Sequence, residues 1–165
     1  MSTCLFLIRD IYAVDSLRKE LVSFVKSKDF GVDFHPFEIL LAHHQISLDT
    51  MDFVFSLCDS FEYVSCDCVL YPEGSPVNGR THPLTFAERM MTIQQVAEIV
   101  LRYSCEVELF LSDDNPYLPD FTVFDIPCQQ VADTLCLQYQ HCRYQAYNIP
   151  SVHMKIRRAG DESPT

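Results

Sequence analysis

Tryptophan is absent from this 165-residue chain, glycine occurs only four times, and none of the eight cysteines stands three residues from another. The missing CxxC pair removes the usual thiol-redox motif and the usual half of a zinc site. Scarce glycine leaves no Gly-rich cradle of the kind that wraps a nucleotide phosphate. Positive charge is also short: 12 Lys and Arg face 23 Asp and Glu, a formal net charge of −11. Nucleic-acid and anionic-membrane partners, which need cations to neutralise phosphates, are therefore disfavoured. Only Lys155, Arg157 and Arg158 form a locally basic stretch.

Long hydrophobic runs are lacking too. The apolar run near the N-terminus, residues 4–8, is five residues long, far short of the roughly 20 that span a bilayer. With no basic stretch before it and no small-residue cleavage pattern after it, the run reads as a strand and not as a secretion signal. No Asn-x-Ser/Thr acceptor occurs. These features predict a cytoplasmic or nuclear protein with reduced cysteines and no membrane association.

What is present is a substantial core. The chain is 48% hydrophobic and holds twelve Phe and eight Tyr, which excludes the low-hydrophobicity composition of a disordered chain. At this length about 70% of the unfolded surface can be buried. The expectation is one globular α+β domain over residues 1–158, with a disordered tail at 159–165. Its sheet, mixed or mainly antiparallel, is expected to have about five strands packed with four to five helices.

The continuous run at 4–8 suits a central strand covered on both faces. Val14, Leu17, Leu21, Phe24 and Val25 follow helical steps, with Gly31 just past the predicted end. Residues 36–44 are ambiguous between short helix and strand; Pro36 favours helix. Leu48, Met51, Val54, Phe55, Cys58 and Phe61 share one helical face, so 48–61 is predicted helical. At 62–70 the period changes to two, with Val64, Cys66, Cys68 and Leu70 on one side of a predicted strand. Thr85 and Glu88 match a capping box that opens a helix over 85–103. Strands are predicted at 105–111 and 121–126 as a hairpin with a long tip, followed by a helix at 128–140 and a closing strand at 152–156.

Chemistry has few footholds. The loop 72–83 holds three of the nine prolines and two of the four glycines, and long ordered loops often carry function. In it Asn78, Arg80, Thr81 and His82 would lie near the start of helix 85–103, where an anion is favoured. The plainer reading is that Asn78-Gly79 makes a turn and Pro83 stiffens the approach to the helix. Cys66 and Cys68 would share a strand face, but two ligands do not make a metal site. His43 and His44 diverge by about 100° on a helix and make poor co-ligands. Asp113, Asp114 and Asp120 match no calcium loop. No Gly-x-Ser-x-Gly elbow and no kinase, deaminase or hydrolase signature occurs.

Neither a cofactor nor a metal is therefore expected. The sequence favours a non-catalytic protein-interaction module, an adaptor or a subunit of a larger assembly, with a protein partner or a second copy of itself. Tyr144 and Tyr147, in the Tyr-rich segment 139–147, are candidate interface anchors. The alternative is a small anionic-ligand protein or enzyme built on the 72–83 loop, with Arg80 holding the anion and His82 moving a proton.

Overall fold

The computed structural model describes residues 2–35, 47–49, 52–59, 67–72, 81–113, 121–142 and 150–160. They form a mixed α/β architecture around one six-stranded sheet. The strands are β1 (Ser2–Ile8), β2 (Phe30–Asp33), β3 (Phe53–Asp59), β4 (Glu106–Asp113), β5 (Thr122–Pro127) and β6 (Val152–Arg157). Their order is β2-β3-β1-β4-β6-β5, antiparallel throughout except for the parallel pair β5–β6. Three helices of more than two turns pack with the sheet: α1 (Val14–Ser27), α3 (Phe86–Val100) and α4 (Val131–Tyr139); α2 (Asp67–Leu70) is a single turn. The sheet thus has one strand more than expected, and among the described residues three helices exceed two turns where four to five helices were expected.

β1 occupies the central place that its apolar run predicts. Cys4, Phe6 and Ile8 join the main core with the helices, while Leu5 and Leu7 join a smaller cluster with Val54 and Phe110 on the opposite face. Burial on both faces explains why the run has no polar alternation. From β1 the chain turns sharply, with Asp10 and Ala13 both at positive φ, into α1. Leu17, Leu21 and Val25 are the buried side of that helix. It ends at an Asp29 of positive φ, and Gly31, expected just beyond the helix, instead lies inside β2.

The predicted helix over 48–61 is corrected at Phe53–Asp59, which is strand. Phe53, Val54, Phe55, Leu57 and Cys58 satisfy helical spacing, but they are also a β-branched and aromatic run with both faces buried. Pairing with β1 and β2 decides between the two, and Phe6 stacks on its cross-strand partner Phe55 at 4.9 Å. The strand predicted at 62–70 is likewise helical at 67–70, where Val69 and Leu70 are fully buried. The segments 36–46 and 61–66 lie outside the described residues.

α3 opens as its sequence predicts. Thr85 Oγ1 accepts the Glu88 N–H and a Glu88 carboxylate oxygen accepts the Thr85 N–H, each at 3.2 Å. It is buried on several sides, including Met90, Ile93, Val96, Ala97 and Val100 and the polar Arg89, Thr92 and Gln94. It stops at Val100, short of 103, and Arg158 donates to the carbonyls of Leu101 (2.9 Å) and Ser104 (3.3 Å) beyond its end. A cation there offsets the negative end of the helix dipole.

The predicted hairpin of β4 and β5 does not form. β6 lies between them, and among the described residues β5 pairs only with β6, in parallel. The cause is α4, because a strand followed by a helix returns alongside itself in the same direction. Gln94 fixes this crossover: its side-chain oxygen accepts the Ala132 N–H at 2.9 Å and its amide donates to Glu98 at 3.2 Å. α4 has no side-chain cap of its own, so α3 supplies one. Ala159 and Gly160 form a turn, and 161–165 lie outside the described residues.

Candidate functional site

Of the loop residues singled out by sequence, Asn78 and Arg80 lie outside the described residues, as do Tyr144 and Tyr147. Thr81 is exposed, whereas His82 is buried, with 6% of its surface accessible. Its Nδ1 accepts the Leu84 N–H at 3.1 Å, which makes Nε2 the protonated nitrogen, and Nε2 donates to the Asp29 carbonyl at 3.0 Å. Phe30 meets the ring edge-on at 5.1 Å. His82 therefore ties the segment before α3 to the start of β2, with both nitrogens engaged by backbone.

Cys4, Cys58, Cys128 and Cys142 are buried, Cys136 is partly buried and Cys105 is exposed. Burial pushes the Cys4 thiol far above its ordinary range, with Cys58 adding to the effect. Burial also pushes Cys128 up to about 12, and the Glu98 carboxylate adds to that shift. Burial and then Asp133 raise Cys136. A thiol held protonated is a poor nucleophile and a poor ligand. Cys68 sits in the α2 turn, so the strand that would have aimed it with Cys66 at one ion is not formed at 67–70. Among the described residues no group of three or more His, Cys, Asp or Glu is placed to hold a metal. No helix among them is long and apolar enough to cross a membrane.

A groove of about 520 Å³ lies where α3 ends, lined by Glu98, Leu101, Arg102, Cys128, Gln129 and Arg158. Its cations are engaged: Arg158 holds carbonyls beyond the helix end and Arg102 pairs with Glu20. The Cys128 thiol in the groove's lining is buried and held protonated.

β5 is an edge of the sheet as the described residues form it. The Thr122 N–H donates inward to the Ser151 carbonyl at 2.9 Å. Backbone direction alternates along a strand, so Thr122, Phe124 and Ile126 bond toward β6 while Val123 and Asp125 turn their N–H and C=O groups outward. Among the described residues no strand pairs with that outer side. Val123 is 58% exposed, whereas Phe124 and Ile126 pack against the main core and hold the strand in place.

Two cross-strand rows run to this edge on the face away from the helices. One is Leu5, Phe110, His153, Val123; the other is Leu7, Glu108, Lys155, Asp125. In the first, Phe110 stacks on His153 at 4.2 Å. Glu108 bridges the rows by accepting from His153 Nε2 at 3.0 Å, a bond that, despite partial burial, lowers its pKa below the carboxylate range. Asp125 is paired with Arg157. Sequence reasoning identified a strand at 121–126 but placed it in a hairpin, which hid its edge position. The helix at 128–140 between 121–126 and 152–156 was the available signal for a parallel crossover.

No protein-family model, curated protein or solved structure matches the chain.

Proposed function

We propose that this protein is a non-catalytic interaction domain, an adaptor or subunit of a larger intracellular assembly, and that a partner protein docks by adding a strand to β5. The observation that carries the reading is the outward-facing backbone of Val123 and Asp125 on an exposed edge strand. Such an edge offers ready-made hydrogen bonds to an extended chain. The protonated buried thiols and the engaged cations of the groove argue for binding over catalysis.

The test uses protein isolated gently from its own cells under reducing conditions and weighed by native mass spectrometry, wild type beside Val123→Pro. Proline there deletes an outward N–H and no bond to β6. A stoichiometric protein partner on the wild type and its loss from the variant is the expected result. A bare wild-type chain, or one carrying only a cofactor-sized mass, would sink the reading.

A further inference from the structure

The edge carries information about what docks on it. We infer that the partner segment is an extended basic strand that places a Lys or Arg beside Asp125 and an apolar side chain beside Val123; this rests on the interaction-domain reading above. Along one row the charges alternate, Glu108 negative, Lys155 positive and Asp125 negative; Asp125 is paired with Arg157 but its side chain stays half exposed, so a cation at the next position outward continues the alternation and shares that carboxylate. Along the other, Phe110, His153 and Val123 lead to an apolar position, since Val123 is 58% exposed there. Directly opposed side chains on one face are the units of sheet pairing, and like charges in opposition repel. Because Val123 and Asp125 are two apart, their side chains share a face, and the matching partner residues are also two apart.

A second copy of this chain is the poorer occupant. Each copy carries a net charge of −11, and β5 contains an aspartate and no Lys or Arg with which to pair its twin's Asp125. The acidic field instead draws a basic segment.

The experiment titrates isotope-labelled full-length protein at low salt with ten-residue peptides of threonine around a central Val-Thr-Lys or Lys-Thr-Val. Each has a counterpart with Glu in place of Lys. The two orders cover both strand directions. At least one Lys peptide should bind and shift the Val123 and Asp125 amides first. Its Glu counterpart should bind more weakly by about two- to fivefold, the range of a cross-strand charge pair. Asp125→Lys should reverse that preference. Val123→Pro should abolish binding, while Val123→Thr, which keeps the N–H and the fold, should retain it with reduced affinity.

Equal binding of Lys and Glu peptides, shifts centred away from β5, or an Asp125→Lys variant with unchanged preference would overturn the inference. So would concentration-dependent self-association in sedimentation that Val123→Pro removes, because the seam would then belong to a second copy. A cellular partner retained by both Val123→Pro and Asp125→Lys would refute this seam and leave the interaction-domain reading standing. A wild-type chain that emerges bare from its cells yet binds the Lys peptides as expected would refute that reading and leave the seam chemistry intact.

Discussion

The sheet ends differently on its two sides. β2 is four residues long, begins at a buried Phe30, and is preceded by an Asp29 whose carbonyl is held by His82. Just beyond it Phe34 packs with Phe53 and Phe55, and the Arg18 guanidinium lies 5.3 Å from the Phe34 and Phe53 rings. β5 is six residues long, is anchored by the inward side chains Phe124 and Ile126, and has no such clamp on its outer side among the described residues. Short edge strands resist pairing with other chains, while longer exposed ones invite it unless charge or proline intervenes. β5 carries one of each, Asp125 and Pro127, but the proline is its last residue and the Asp125 charge is paired with Arg157, so neither closes the outer backbone at Val123. The comparison separates a clamped edge from an edge whose outer backbone meets no strand among the described residues.

Removing the clamp should have the largest effect. His82→Ala loses two backbone anchors and leaves a cavity, an expected loss of about 3 kcal/mol in chemical denaturation, with faster amide exchange at Phe30–Asp33. Behind the other edge, Gln94→Leu strips the Ala132 N–H of its acceptor and should cost about 2 kcal/mol. Both variants weaken the fold, but only His82→Ala should loosen β2 selectively.

A smaller effect appears on acidification. Because the His153 bond holds the folded Glu108 pKa below its ordinary value near 4.5, its contribution to stability is complete above that value. It is lost as pH falls through the lower folded value. Glu108→Gln should flatten the decline in melting temperature below about pH 4.5 relative to the wild type. The proline variants of β5 sharpen the contrast further. Val123→Pro should change stability by less than about 1 kcal/mol, since its N–H faces outward. Thr122→Pro should cost at least about 1 kcal/mol more, because it deletes the bond to Ser151.

Elements whose local pattern and tertiary role agree were legible in the sequence. β1 was evident from an unbroken apolar run, α1 from Leu17, Leu21 and Val25, α3 from Thr85 and Glu88, and β6 from the alternation of Val152, Met154 and Ile156. β3 was not, because Val54, Phe55 and Cys58 fit a helical face as well as a two-sided strand, and only neighbouring strands distinguish them. β2 escaped because Gly31 is a helix-stop signal as well as a strand residue. The candidate site was legible only as a strand. Its edge position depends on β6 inserting beside β4, a long-range pairing that no local pattern of Thr122–Pro127 encodes. His82 was noticed for chemistry, but its ring is placed by two backbone groups, one of them 53 residues away.

Amide hydrogen exchange on the free chain and on the complex isolated from its own cells tests the central claim most directly. Slowed exchange at Val123 and Asp125 in the complex, with Phe30–Asp33 unchanged, is the result the open-edge account requires. Unchanged exchange at Val123 and Asp125 in a complex that demonstrably contains its partner would contradict it.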